Sequence, residues 1–345
     1  MASRWSLAFS VAALTALVGT ELLRRVALAA GFVDRPGPAK VHVRPIPYLG
    51  GAAIAGAAFA GWLFAPRLPS RLAVTAVAAA FLVLVGLLDD HRILGHRSRL
   101  VAQVAAAAAV IAAGVRAEPS GISPLDIAVT FLWIVGVTNA LNLLDNMDGL
   151  AAGVGAVAAG GLFVLLAGAD QAAVGVCAAA LAGACCGFLA YNARPATIFM
   201  GDAGSLFLGF VLAVAAIEVQ PDLRPPGSLV VPLVLLALPV LDTTVVTLAR
   251  LRHGRRIMVG GTDHLSHRLV ALGLPPGAAV GTLVGVQALL TAVAVLVGRE
   301  VLAPATGLVL AASVLAAVGA LAARTDVYEE PPVRLRVPAP LRILE

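Results

Sequence analysis

Acids and amides recur in this chain at spacings that suit work on phosphate. Asp89 and Asp90 are adjacent and close the apolar run 83–88. A carboxylate at the centre of a bilayer helix costs roughly 2.5–3.5 kcal/mol, so such a pair belongs at an interface or against cations. Their mutual repulsion favours a bound Mg²⁺ or a raised pKa. The plainer alternative is a helix end neutralised by Arg92 and Arg97.

Asn139, Asn142, Asp145 and Asp148 recur at every third position, and Gly149 follows. On a helix the last three form a slanted stripe of neighbouring side chains, and the glycine permits an abrupt change of backbone direction. Their oxygens suit a hard cation or the donors of a nucleotide base and ribose. A polar seam between helices is the competing reading, but two unpaired acids make a costly seam.

Asp202 stands between glycines in the run 201–205. Small residues let an anionic ligand approach the backbone, and a helix starting at Ser205 would offer free N–H groups. The acid is an obvious ligand for a metal-bound diphosphate. The most basic loop holds Arg250, Arg252, His253, Arg255 and Arg256, followed by Asp263, His264, His267 and Arg268. Two histidines three apart could take zinc, yet no third soft ligand is near, and guanidinium and imidazole donors suit phosphate better. Lys40 is the only lysine; it lies with His42 in the proline-stiffened segment 34–51, and a compact ammonium suits a phosphate as a point charge.

These groups need elements that hold them at a membrane. The 345 residues are 60% hydrophobic and only 12% charged, with mean hydropathy +0.96, against about 25% charge in ordinary soluble domains. A water-soluble fold is excluded. Long uncharged runs such as 72–88 and 229–241 are helices rather than the alternating strands of a barrel. At about 17–25 residues per span, eleven spans are expected: 5–23, 48–65, 72–88, 100–115, 125–143, 150–168, 171–191, 204–219, 228–249, 278–298 and 301–323. The fold class is an all-α integral membrane protein, with a single polytopic domain over 1–323 and a cytoplasmic tail over 324–345. The first run resembles a signal peptide with a cleavage signal at 27–29, but Glu21, Arg24 and Arg25 precede that site, so a retained span is expected. Cys177, Cys185 and Cys186 share one apolar run and read as packing residues.

Alternating loops place eighteen of the 24 basic residues on one side and six on the other. The positive-inside rule makes the richer side cytoplasmic, with the N-terminus outside and the C-terminus inside. The pI of 9.7 is then a topology signal and implies no nucleic acid. All six histidines and the acids named above fall on the cytoplasmic side, so the chemistry gathers at one membrane face.

Together these segments resemble the polyprenyl-phosphate N-acetylhexosamine-1-phosphate transferases. The likeness runs from about Asp34 to Leu269. It rests on Asp34, Pro36, Lys40, His42, Pro45, Pro47, Gly50 and Gly51, on the Asp89–Asp90 pair, on the run 139–149 and on the turn 201–205. The resemblance implies transfer of N-acetylhexosamine 1-phosphate, most simply N-acetylglucosamine 1-phosphate, from a UDP-sugar to polyprenyl phosphate (undecaprenyl or decaprenyl). The products would be a polyprenyl-diphosphate sugar and UMP, at the first membrane step of a cell-envelope glycan.

It also implies an Mg²⁺ or Mn²⁺ cofactor held by Asp202 with Asn142, and catalysis by Asp89, Asp90, Asp145 and Asp148, with Asp89 or Asp90 handling the lipid phosphate. Substrate binding would fall to Lys40, His42, Asn139, Asn142, Asn192, Asp242, Arg255, Arg256, Asp263, His264 and His267, on a chain that could pair as a homodimer in the bilayer.

Two departures stand out. Asn146 occupies a position where the family often has glycine, and asparagine also tolerates the left-handed conformation. The last loop lacks the consecutive histidines of the phospho-N-acetylmuramoyl-pentapeptide transferases, which disfavours their peptide-bearing substrate. A secondary transporter is the alternative from another class, but transporters keep polar residues near the midplane, and here only Asp242 sits deeper, as a packing residue or a partner at the site.

Overall fold

The computed structural model describes residues 2–36, 44–66, 68–92, 94–166, 171–219, 227–257, 261–325 and 327–328. The chain opens with α1 (Ala2–Ala30), then pairs β1 (Val33–Asp34) antiparallel with β2 (Ile46–Pro47). There follow α2 (Gly50–Trp62), α3 (Ser70–Arg92), α4 (Gly95–Ala112), α5 (Ser123–Leu144), α6 (Leu150–Leu166), α7 (Ala172–Asn192) and α8 (Gly201–Glu218). The last elements are α9 (Gly227–Leu235), α10 (Ala237–Arg252), α11 (Leu265–Ala271), α12 (Pro276–Gly298) and α13 (Pro304–Ala322).

Seven of these helices are long and apolar enough to cross a membrane, or eight if α9 and α10 form one bent span. This is the architecture of an all-α integral membrane protein. Ten of the eleven expected segments each fall on one helix, and 228–249 falls on two, α9 and α10. The segments beyond the eight are α2 and α6, which are apolar but short, and α4, which opens with His96, Arg97 and Arg99. The two-stranded hairpin and α11 are additions to the expected elements. Lys40 and His42 lie outside the described residues.

The 63° bend between α9 and α10 has an identifiable cause. Pro239, four residues beyond Leu235, has no N–H to offer the Leu235 carbonyl, and an unpaired carbonyl inside a bilayer is costly. Gln287 of α12 supplies the missing donor, its Nε2 lying 2.8 Å from that oxygen. The break therefore carries its own hydrogen-bond replacement, and it turns the end of α10 toward the last basic loop.

Packing sorts the helices by depth. The alanines of α1, Ala8, Ala12 and Ala16, are fully buried against α7, while Leu14, Val18 and Leu22 remain exposed on the other side. Helix α8 is buried nearly all round, as expected of an apolar helix with no polar face. Close approach at its first turn depends on missing side chains: a Cβ on Gly86 of α3 would run into the Ala203 backbone, and one on Gly51 of α2 into the backbone of Gly204. These contacts hold the C-terminal end of α3 against the N-terminal end of α8, which is what brings the acids together.

Gly86→Ala should therefore cost about 1–3 kcal/mol through overpacking, seen as a lower thermal-unfolding midpoint in detergent. Gly136→Ala, where an added Cβ meets nothing within 4 Å, should leave the midpoint unchanged or slightly raised. Equal midpoints for the two variants would mean that the α3–α8 contact does not form.

Candidate active site

Asp90, in the last turn of α3, points its carboxylate at the opening of α8. It accepts the backbone N–H groups of Asp202 at 2.8 Å and Ala203 at 3.3 Å. The first N–H groups of a helix have no partner within it, and they attract negative charge. Asp90 thus caps α8 from another helix. Gly201 makes the approach possible: its φ is +70°, a conformation that L side chains rarely adopt, and a Cβ there would sit 2.5 Å from the Asp90 carboxylate.

Asp202, one residue on, is held at both oxygens. Its Oδ1 accepts Asn142 Nδ2 at 2.7 Å, and that amide also donates to Ser205 at 2.8 Å. Its Oδ2 accepts Arg99 Nη1 of α4 at 2.5 Å. The same guanidinium nitrogen lies 3.2 Å from Asp89 Oδ2, while Asp89 Oδ1 takes the Leu94 N–H in a very short bond. Asp89 and Asp202 lie within hydrogen-bonding reach of each other.

The stripe at the end of α5 divides by role. Asn139 pairs with Gln103 of α4 and also donates to the Val135 carbonyl, so it ties α4 to α5 one turn deeper than Asn142. Asp145 follows the helix directly. It has no hydrogen-bond partner among the described residues and keeps some exposure. Burial pushes its carboxyl up to about 7, and Asp202, Asp90 and Asp148 add repulsion. Asp148 accepts the Ala196 N–H at 3.1 Å. Asn192 accepts the Gly149 N–H and donates to the Ile198 carbonyl, both at 3.0 Å, so both ends of its amide join the loops beside the acids.

The last loop docks onto this group. Asp242 of α10, fully buried, accepts His264 Nδ1 and the Leu265 N–H, each at 2.7 Å, and so opens α11. Ser266 donates to Asn146 at 2.6 Å, fastening α11 to the loop that carries Asp145 and Asp148. Burial pushes His267 down to about 4, with His264 beside it contributing.

Arg255, Arg256 and Asp263 lie elsewhere on the loop, in a cleft of about 430 Å³ that Arg250, Thr262 and Tyr328 also line and that none of the α3, α5 or α8 acids reaches. There Arg250 grips Asp263 with two bonds of 2.7 and 2.6 Å, and the Tyr328 hydroxyl donates to the same carboxylate. Burial alone would raise Asp263, but Arg250 and Tyr328 hold it down to about 2. Arg255 stacks 4.2 Å from the Tyr328 ring centroid, and Arg268 donates to the Ala322 and Thr325 carbonyls. The last loop is therefore strapped to the end of α13, a contact that the sequence gives no sign of.

Hard oxygen ligands are what Mg²⁺ and Mn²⁺ take, and Mg²⁺ commonly uses one or two carboxylates and fills the remaining positions with water and substrate phosphate. Among the described residues no three His, Cys, Asp or Glu side chains form a ready-made metal cage. The donor set fits instead an open site of two carboxylates, Asp202 and Asp89. Asn142 presents its nitrogen to Asp202 here and so orients that carboxylate. For zinc, His264 and His267 find no third His, Cys, Asp or Glu to complete a site with them among the described residues.

An all-α membrane bundle with carboxylates gathered at one end is the class of protein that the fold and these residues define. Residues 72–220 match the family model described as glycosyl transferase family 4. A probable undecaprenyl-phosphate N-acetylglucosaminyl 1-phosphate transferase of Bacillus subtilis (strain 168) is 32% identical over 277 residues, covering 77% of each chain. A decaprenyl-phosphate N-acetylglucosaminephosphotransferase of Mycolicibacterium smegmatis is 30% identical over 301 residues, 76% of this chain and 74% of the relative. A phospho-N-acetylmuramoyl-pentapeptide-transferase of Desulforudis audaxviator is 37% identical over 200 residues, 50% of this chain and 58% of that protein. The chain belongs to glycosyl transferase family 4.

The half-buried His267 gives this region an acid limit. Its folded pKa of about 4 lies below the unfolded value near 6.5, so the folded form keeps it neutral while the unfolded chain protonates. Stability present above pH 6.5 should fall as the pH drops from 6.5 toward 4. His267→Gln should flatten the thermal-unfolding midpoint across that window, and parallel curves for the two proteins would contradict the assignment.

Proposed function

We propose that this protein transfers N-acetylglucosamine 1-phosphate from UDP-N-acetylglucosamine to polyprenyl phosphate, releasing UMP, at the cytoplasmic face of a cell membrane. The observation that carries the reading is the union of Asp89, Asp90, Asp145 and Asp202 at one end of the bundle, in a chain whose relatives bear N-acetylglucosamine-1-phosphate transferase names over three quarters of their length. A lipid-bound nucleophile and a soluble donor can meet only at an interface. The C-terminal ends of α3 and α5 and the N-terminal end of α8 supply such a place. The excess of basic residues on that side supports a cytoplasmic site, with the N-terminus outside and the C-terminus inside.

In the reaction an oxygen of polyprenyl phosphate attacks the sugar-proximal phosphorus of the donor. The bond from that phosphorus to the bridging oxygen breaks, and UMP departs. Asp202 and Asp89 would hold the Mg²⁺, which when bound supplies charge neutralisation on the diphosphate. Asp90 is committed to α8 at both carboxylate oxygens, which supports direct displacement over a covalent intermediate on that residue. Asp145, which has no donor on it among the described residues, is suited to accept any proton still on the lipid phosphate. Asn142 orients Asp202, and His264, fixed by Asp242 just before α11, is assigned to the donor. Lys40 and His42 supply further donors for the phosphates, whereas Arg255 and Arg256 lie in the separate cleft by Tyr328 and take no part at these acids.

The phospho-N-acetylmuramoyl-pentapeptide donor is disfavoured on two grounds. The Desulforudis audaxviator relative of that kind aligns over half of this chain, and the last loop reads His264-Leu265-Ser266-His267 without consecutive histidines.

Purified protein given radiolabelled UDP-N-acetylglucosamine, polyprenyl phosphate and Mg²⁺ should form a lipid-extractable product. Asp202→Asn should reduce turnover at least about a hundredfold while keeping its thermal midpoint within a few degrees, since an amide oxygen is a poor replacement for an anionic ligand. Full activity in that variant would remove Asp202 from the site. In a cysteine-free background, His96→Cys should react with an impermeant thiol reagent only in opened membranes and Arg299→Cys in intact cells. The reverse pattern would invert the topology.

A further inference from the structure

One guanidinium nitrogen touches both carboxylates that the proposed function assigns to the divalent cation. Arg99 Nη1 is 2.5 Å from Asp202 Oδ2 and 3.2 Å from Asp89 Oδ2. A magnesium ion held by these carboxylates would draw on the same two oxygens. Ion and guanidinium would therefore compete for them. We infer that Arg99 is a built-in counter-ion for the Asp89–Asp202 position, held there while the cation is absent and expelled from it when the cation binds.

Three features of the structure support a movable occupant rather than a fixed ion pair. Asp202 does not need Arg99 to hold its orientation, because Asn142 secures its other oxygen and Asp90 fixes its backbone N–H. Asp89 is likewise anchored by the Leu94 N–H. The Arg99 side chain is 27% exposed, against 24% for Asp202 and 6% for Asp89, so the guanidinium has an open side by which to leave. Its charge also has a purpose where it is: without a cation, two carboxylates this close repel each other in surroundings that screen poorly. Once the metal takes over that neutralisation, the guanidinium is released beside the phosphates of the substrate, which it suits as a bidentate donor.

The inference rests on the metal-dependent reading of the site, and Mn²⁺ binding to purified protein without substrate separates the two. Free Mn²⁺ measured by electron paramagnetic resonance should show a site that Asp202→Asn abolishes. Arg99→Gln should bind Mn²⁺ at least about tenfold more tightly than the wild type, because the competing cation is gone. Arg99→Lys, which keeps the charge but bridges less well, should fall between them and guards against a Gln variant that folds poorly. In the wild type, modification of Arg99 by phenylglyoxal, quantified by peptide mass spectrometry, should rise when Mn²⁺ is added. Unchanged or weaker binding in both Arg99 variants, with Asp202→Asn still abolishing it, would overturn the inference and leave the metal site standing. Absence of any Asp202-dependent Mn²⁺ binding would overturn both.

Discussion

The carboxylate of Asp90 resting on the first N–H groups of α8 is the contact on which the rest of this site depends. In water such a cap is worth about 1 kcal/mol, but at the end of a buried span the alternative is a set of N–H groups with nothing to bond. The contact fixes where α3 and α8 meet and at what depth. It sets Asp202 on the turn that Asp90 grips, within reach of Asp89, Arg99 and Asn142. Its geometric conditions are strict: Gly201 must take a positive φ, and Gly51 and Gly86 must present no side chain to α8. One requirement of membrane folding, that no backbone donor be left unpaired, is thereby turned into the placement of a reactive acid.

The same requirement shapes the other half of the site. Pro239 leaves the Leu235 carbonyl without its helical partner, Gln287 meets it, and the span bends there. Beyond the bend, α10 carries the buried Asp242, which holds both the His264 ring and the first N–H of α11. Ser266 then reaches Asn146 in the loop after α5. A histidine from the last loop and an acid from the fifth helix are thus held in one frame by a short chain of hydrogen bonds. Asn146, which stands where the family often has glycine, is the link in that chain.

Much of this was legible in the sequence, for reasons that can be stated residue by residue. Apolar runs announce helices because a span must satisfy its own backbone, so the expected segments lie on helices, with 228–249 broken into two. Asp89, Asp90, Asn142, Asp145 and Asp202 stood out because polar groups at the ends of apolar runs are costly without a use. What they touch was not legible. Arg99 counted only as one more cytoplasmic charge, although it lies four residues before Gln103 and both face α5 and the acids. The pairing of Asn139 with Gln103 and of Asn192 with two loop backbones depends on which helices are neighbours, and local periodicity does not encode that. The separation of Arg255 and Arg256 from the histidines of the same loop, and the reach of Tyr328 to Asp263, depend on the chain folding back after α13. Even the bend at residue 236 is written in Pro239, but a hydropathy window has no direction and passes over it.

The proposed chemistry is transfer at phosphorus, so the central claim concerns which bond of the donor breaks. The most direct measurement uses UDP-N-acetylglucosamine carrying ³²P in the phosphate next to the sugar, with polyprenyl phosphate and Mg²⁺. Phosphoryl transfer predicts that the label enters the lipid product and that the released nucleotide is unlabelled UMP. Label recovered in UDP, with only the sugar on the lipid, would contradict the account.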